Sequence, residues 1–578
     1  MRKRLVILGC SATKKPTPGP LPAVDRYDGP MYRVLRSFLR KHRWPSDLSV
    51  AVLSAEHGLI GGLTPIEPYD RRMSGDRAAE IAPKVAKTLE AWKPLHSRVD
   101  LVLGQSYLPA IEATARQCWP STTSVAGGGI GMKLSYLRKE LHQKAQPAHA
   151  PDPDDSPRKR GRPAYFLPDW DDFVDADFDF VRDRFSSNDR VSRQELHCSQ
   201  LVDCLADGIL VSLAQSTTGK GLLRSLEASS PDSLAPTSVK KHFGLNSRQW
   251  AFGDCGAFSY VNEHEPTISI EQAVTIYELF GFDLGASIDH IPVPIVIREG
   301  KRRRLTRAER KARLALTVRN ADAFISEWRY RECRFHPVGV IQGITSEDYA
   351  NSVFAYSEMG YRRLALGGLV PRSDREIVEI VTAVTDAFKQ LRERPWLHLM
   401  GVYRPEIQSQ LRAMKVDSFD SATYFRKAWL RSGQNYLGAN GQWYAAIRVP
   451  PSRDPRTAKR LKASGKSEKK IRQLELAALR ALRGYASGRV KRVDTCLKHV
   501  MAYDSLLDRA EAEQVSFADS YRRTLEDRPW EKCKCDICRS IGIDALIFRG
   551  LNRNKRRGAH NTLKLYENLG SSRGTRQR

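Results

Sequence analysis

Seven short apolar runs alternate with helical patterns over about 220 residues, at 207–213, 249–253, 285–291, 338–343, 363–369, 397–402 and 418–423. That rhythm leaves few folds open, because strands separated by helices must pair in parallel and cover both faces of the sheet. It predicts an α/β chain built on a (β/α)8 TIM-like barrel, with the eighth strand not placed. Thr306-Arg-Ala-Glu309 reads as a capping box opening a helix that runs towards Trp328. The ends of the runs carry the chemistry: Asp254, Asp289, Gln342, Gly367-Gly368 and Asp420 all stand where a run finishes. In a parallel barrel the loops after several strands converge on one mouth, so polar residues at those ends can act together.

The stretch 252–260, Phe-Gly-Asp-Cys-Gly-Ala-Phe-Ser-Tyr, is the clearest of these ends. A strand closing on a carboxylate and then small residues makes an open turn where a planar ligand can approach the backbone, with Phe258 available to stack on it. Taken alone, Asp254 is open to three readings: nucleophile, general base or turn residue. Cys255 beside it is read as packing.

At 578 residues the chain exceeds one ordinary core, and two or three domains are expected. Its formal charge of +28 and pI near 9.8 favour a polyanionic partner, most simply nucleic acid. Basic clusters at Lys301–Arg304 and within 453–493 (Lys459-Arg460, Lys469-Lys470, Arg480, Arg483, Lys491-Arg492) would each raise affinity for phosphate without reading sequence. No apolar run approaches the ~20 residues of a spanning helix, and the run after Met-Arg-Lys-Arg is too short for a secretory leader. No membrane is expected as a partner, and the chain is read as cytoplasmic.

Residues 1–143 read as a separate small α/β domain. Strands near Leu5, Leu48 and Val99 deliver Cys10, Ser11, Lys14, His57 and Gln105 to their tips. Cys10 and His57 could form a thiolate and its base, or simply pack in an accessory domain. This segment resembles small bacterial and phage domains with a Cys-Ser-x-x-Lys start and a Leu-Ser-Ala-x-His-Gly-Leu turn, distantly similar to the YaaA group; the resemblance implies no reaction. Residues 144–163 form a Pro-, Ala- and Asp-rich linker ending in Arg-Lys-Arg-Gly-Arg162-Pro163, which resembles an AT-hook core and reads equally as a solvated charge run. The remaining divisions expected are a barrel at 164–450, a basic helical insertion at 451–500 and a metal-binding part at 501–578.

Cys533-Lys-Cys535-Asp-Ile-Cys538 followed by His560 offers three thiolates and an imidazole, a closed tetrahedral set suited to structural zinc. A reduced redox cluster is the competing reading and fits the histidine less well.

Taken together, six motifs in order resemble the tRNA-guanine transglycosylase superfamily, and more closely its DNA-modifying DpdA-type branch, over about residues 164–578. They are Gly253-Asp254-Cys-Gly256-Ala-Phe258, Asp289-His-Ile-Pro292-Val-Pro294, Val340-Ile-Gln342-Gly343, Leu366-Gly367-Gly368-Leu369, Leu399-Met400-Gly401-Val402 and Val416-Asp417-Ser-Phe419-Asp420. The Cys-x-Cys-x-x-Cys and the His560-Asn561 pair match the family too. The resemblance implies a pentosyltransferase in which Asp420 is the nucleophile on C1′ and Asp254 the general base. It implies that Phe258 stacks on the base, that Asp289 and Gln342 read its edge, and that Gly367, Gly368 and Leu369 lie against it. The implied reaction exchanges guanine in DNA for a 7-deazaguanine such as preQ0, with structural Zn2+ and no soluble cofactor. The same chemistry on tRNA, or a silent nucleic-acid-binding barrel, are the alternatives; partner proteins of DNA modification are implied by resemblance alone. Ser, Gly and Gln of the family turn become Cys255, Ala257 and Ser259, and Ala422-Thr423-Tyr424 replaces its Pro-Thr-Arg, so tRNA-type contacts are in doubt.

Overall fold

The structure is a computed structural model that describes residues 3–16, 19–42, 45, 47–143, 157, 161–189, 193–216, 238–430, 432–462, 464–507 and 517–570. Most of the linker at 144–163, including the first three residues of the AT-hook-like run, therefore lies outside the described residues.

A closed barrel of eight strands is present. Its order is Gly208–Ser212, Trp250–Asp254, Leu284–Ala286, His336–Ile341, Arg363–Leu366, Trp396–Leu399, Ser418–Asp420 and Ala164–Pro168. All seven anticipated runs supply a strand, and the unplaced eighth is Ala164–Pro168, which pairs in parallel with Ser418–Asp420. Its helices begin where the sequence supplies caps: Ser269 with Gln272, Thr306 with Glu309, Thr345 with Asp348 and Ser373 with Glu376 each form a reciprocal box. The predicted helix after Thr306 runs from Arg307 to Tyr330.

The runs at 363–369, 397–402 and 418–423 end three residues early, and one run departs further. The strand over 285–291 stops at Ala286, yet Ile288, Asp289 and His290 stay buried. Side chains of the next helix satisfy this backbone instead of a ladder: the His290 N–H donates to Thr317 Oγ1 (2.9 Å) and Arg313 Nη1 donates to the Ile291 carbonyl (2.9 Å). Between the two elements, Ile295–Arg298 and Lys301–Arg304 form an antiparallel hairpin turning through Glu299 and Gly300, both at positive φ.

The chain divides into two compact units, Met1–Ser156 with Leu210–His242 and Trp250–Met400, and Pro157–Ile209 with Phe243–Gln249 and Gly401–Arg578. Within the first, residues 3–143 form a five-stranded sheet in the order Gly58–Gly61, Leu48–Ser54, Lys3–Gly9, His96–Val102 and Thr123–Val125. Its strands are parallel apart from the Leu48–Ser54/Gly58–Gly61 hairpin, and apolar cores cover both faces.

In the second unit, helices Glu468–Ala486, Val493–Asp504 and Ala518–Asp527 share one apolar core with Tyr436, Ile447, Cys533 and Cys538. The closing helix Gly550–Gly570 buries Arg553 and Arg557. Arg557 is held by the carbonyls of Ala428, Ala545 and Ile547, and Arg553 by Asp183 and Asp544. Two arginines expected to meet nucleic acid, Arg483 of a basic cluster and Arg162 of the AT-hook-like run, are committed to this framework: Arg483 pairs with Asp544, and Arg162 pairs with Asp207 while lying 4.9 Å from the Tyr566 ring centre. No described helix is long and apolar enough to cross a membrane.

Candidate active site

Strand Trp250–Asp254 is buried over its three central residues and half-buried at both ends, the second of which is Asp254. The turn that follows requires glycine at position 256. Gly256 sits at φ +80°, donates its N–H to Asp254 Oδ2 (3.1 Å), and a Cβ there would lie 2.3 Å from Ser212 Oγ. This bend starts a short 3-10 turn, Ala257–Tyr260, that leaves Phe258 58% exposed, an unusual state for a phenylalanine.

Cys255 does more than pack. Its thiol donates to Asp289 Oδ1 (2.9 Å), and the Tyr260 hydroxyl lies 3.0 Å from both Cys255 Sγ and the Asp289 carbonyl. Burial pushes the Cys255 thiol well above its usual range, so it stays protonated as a donor and is a poor nucleophile. The other Asp289 oxygen accepts from Gln342 Nε2 (2.5 Å). Burial raises the Asp289 pKa, and these two donors oppose the rise. Next to it, His290 is driven down to about 4, chiefly by burial and then by Arg313, so its ring is neutral near pH 7.

Gln342 is placed by what is missing beside it. A Cβ on Gly367 would fall 2.2 Å from Gln342 Nε2, and one on Gly368, at φ +69°, 2.6 Å from Oε1. The glycine pair makes room for the amide, and the Tyr349 hydroxyl fixes the Gly367 carbonyl (2.8 Å). Gln342 Oε1 is buried with no partner among the described residues. A buried, unsatisfied acceptor of this kind is costly and calls for an explanation. Leu369 is fully buried, so its side chain serves the wall.

In the second unit, Asp420 closes strand Ser418–Asp420 and is only 6% exposed. Its Oδ1 accepts from the Gly401 N–H (2.8 Å), and Gly401 takes φ +73° to present that N–H. The glycine of Leu-Met-Gly-Val thus has a physical role that the sequence did not reveal. Tyr403 stacks on Phe419 (5.2 Å between ring centres) and meets Tyr424 edge-on, while Tyr424 leans on Trp443 and Lys427 lies 4.3 Å over the Trp443 ring. This aromatic and cationic group stands where the Pro-Thr-Arg motif is lost. Sequence reasoning missed it because its members come from three separate segments.

Also in the second unit, the thiolate-forming atoms of Cys533, Cys535 and Cys538 and His560 Nδ1 all lie within 4.8 Å of one another. Sulfur-to-Nδ1 distances of 3.8, 3.4 and 3.4 Å are near the ~3.5 Å edge of a tetrahedron with metal–sulfur and metal–nitrogen bonds of about 2.3 and 2.0 Å. His560 Nε2 bonds the Leu437 carbonyl (2.8 Å) and its ring stacks on Tyr436 (4.0 Å), which turns Nδ1 to the sulfurs. The residues fit a metal ion and could hold one.

In the N-terminal domain, Cys10 Sγ lies 3.1 Å from the Tyr107 hydroxyl, and His57 packs edge-on against Tyr69 (5.3 Å). No hydrogen bond joins Cys10 to His57 among the described residues, so the two are not assembled as nucleophile and base.

Carboxylates and an amide at the strand ends of a parallel barrel, with a Cys3His cluster following in the chain, define the frame of a base-exchanging pentosyltransferase. Residues 256–442 match the family described as queuine tRNA-ribosyltransferase, and residues 5–139 match a family described as of unknown function. A DNA-guanine transglycosylase from Salmonella montevideo is 34% identical over 410 residues, 70% of this chain and 96% of that protein. The tRNA-guanine(15) transglycosylases of Methanococcus aeolicus and Methanobrevibacter smithii are 25% and 27% identical over 173 residues, 30% of this chain and 25% of each relative. The chain belongs to the guanine transglycosylase family and is an enzyme of the pentosyltransferase type acting on nucleic acid.

Proposed function

We propose that this enzyme exchanges guanine in DNA for a 7-deazaguanine such as preQ0, through a covalent sugar ester on Asp420. One observation carries DNA over tRNA: the relative matched along 96% of its length is named for DNA, whereas those named for tRNA match over a quarter of theirs. The loss of Pro-Thr-Arg after Asp420 points the same way.

In this reading the Asp420 carboxylate attacks C1′, the C1′–N9 bond breaks, and guanine leaves with a proton given by the acid form of Asp254. Asp254 then takes the ring proton of the incoming base, whose nitrogen attacks C1′ and releases the carboxylate. The exchange neither consumes nor yields a net proton and needs no soluble cofactor. The Gly401 N–H orients Asp420 for the attack. The buried Gln342 Oε1 would accept an N–H from the base edge, Asp289 would read the same edge, and Phe258 would stack on the ring, with the Gly367-Gly368-Leu369 backbone against its other side. A base inside a duplex is out of reach, so the target is flipped or unpaired; Tyr403, Tyr424, Trp443 and Lys427 offer a surface on which displaced bases can stack. The ion held by Cys533, Cys535, Cys538 and His560 is zinc with a structural role, since four protein ligands leave no open position. Cytoplasmic placement, and partner proteins that process the DNA or the inserted base, belong to the same reading.

Nucleoside mass spectrometry of DNA and tRNA tests it, using cells that lack other transglycosylases and make either wild-type or Asp420→Ala protein. A deazaguanine in DNA that disappears with Asp420 is expected. Modification confined to tRNA, or persisting in DNA without Asp420, would defeat the proposal.

A further inference from the structure

A cavity of about 540 Å³ lies away from the strand ends, between the N-terminal domain and two barrel helices of the same compact unit. Its walls come from the segment around Lys15 and Asp25, from helix Pro30–Lys41, and from helices Ile270–Phe280 and Arg307–Tyr330. That volume is in the range of small-molecule sites.

Charge in the cavity is unevenly matched. Asp28 is paired with Arg33 and Arg36, and Glu278 with Arg334. Arg331 is shared among Glu327, Thr275 Oγ1 (2.8 Å) and Asp25 (4.0 Å), and its Nη2 remains buried without a partner. The Lys15 ammonium has no hydrogen bond or ion pair among the described residues, although it is largely withdrawn from water and its pKa is lowered, first by that burial. Asp25, itself buried, lies near both cations, while Glu327 is the closer carboxylate to Arg331. The Lys15 ammonium and the unpartnered Nη2 of Arg331 thus meet at the buried Asp25 with donors left over, an arrangement that favours an added anion. The rest of the lining is of another kind: Leu39 and Leu279 are apolar, and the Tyr330 ring is 79% exposed, the most exposed large apolar side chain in the described structure.

We propose that this cavity binds a nucleoside phosphate, with the phosphate on Lys15 and Arg331 and the base against Tyr330 and the two leucines. Two features select that class over a bare anion, namely the size of the cavity and the aromatic and aliphatic surface next to the cationic one. The site is independent of the base-exchange reading and draws on neither Asp254 nor Asp420.

Calorimetric titration of the full-length protein with the four common nucleoside 5′-monophosphates, with the matching nucleosides and with inorganic phosphate tests the proposal. At least one monophosphate should bind at least tenfold more tightly than its nucleoside or phosphate alone. Lys15→Ala, which removes no hydrogen bond and should fold normally by circular dichroism, should weaken binding at least tenfold; Tyr330→Ala, at an exposed position, should weaken it several-fold. Asp420→Ala should leave it unchanged. No nucleotide binding by folded wild-type protein, or binding indifferent to Lys15→Ala, would overturn the site. Phosphate binding as tightly as the nucleotides would overturn the nucleoside assignment.

Discussion

Gln342 and its two glycines are the most sensitive point at the scale of single residues. Gly367→Ala would drive a methyl to 2.2 Å from Gln342 Nε2, and the amide, almost wholly buried, has nowhere to turn. Base exchange should fall by about 100-fold, the usual effect of displacing a positioned group by about 1 Å, with little change in the thermal midpoint; single-turnover kinetics beside a melting curve separate the two. Asp289 gives a pH test. Its folded pKa is raised by burial, so the native state holds its proton more tightly than the unfolded chain does, and stability from this group is present at low pH and lost as pH rises through the folded pKa. Asp289→Asn should remove that loss, so the stability difference between variant and wild type, from denaturant titrations, should shift in favour of the variant as pH rises from 3 towards neutrality. Cys255 shows the limit of reading residues singly: as a neighbour of Asp254 it reads as filler, and its bond to a carboxylate 34 positions away needs the fold to be seen.

Strands and their end residues were largely legible, because period and alternation are local properties. What was not legible had physical causes. Ala164–Pro168 is only five residues long and directly follows a linker, so nothing on its N-terminal side marks it as part of an alternating series. The strand expected over 285–291 ends early because Thr317 and Arg313, on the next helix, take over its backbone hydrogen bonds. Arg483, grouped by sequence with solvated lysines, is fixed by Asp544 on a distant element. The cysteine turn, by contrast, was fully readable from spacing. Its residues belong to the same core as helices Glu468–Ala486 and Val493–Asp504. Removing the proposed zinc with a strong chelator, or by Cys538→Ser, should therefore cost on the order of 10 kcal/mol locally and melt these helices together. Limited proteolysis should then cut within 464–570 while fragments spanning 5–139 survive, and metal release should read one equivalent per chain.

For the whole molecule, the charge of +28 is a long-range attraction with a local outlet. In the hairpin Lys301–Arg304 all four side chains are exposed, and of these Arg303 alone has an ion-pair partner, Glu309, among the described residues. Reversing Lys301, Arg302 and Arg304 to Glu should weaken binding to duplex DNA at least tenfold at moderate salt. The slope of log affinity against log salt should shrink by roughly 2 to 3, about 0.9 for each lost phosphate contact. Fluorescence anisotropy across a salt series measures both, and an unchanged slope would remove the hairpin from the interface. The barrel's closing pair also dictates a schedule. Tyr165 and Ser421, joined by a hydrogen bond, stand 256 positions apart, and the strand that seals the ring ends at Asp420. At 5–20 residues per second a ribosome needs roughly 10–50 s to span that gap, during which the first strand waits with an open edge. The nascent chain acquires its proposed nucleophile at the moment its sheet can close, so no shorter fragment can be both a finished barrel and an active one.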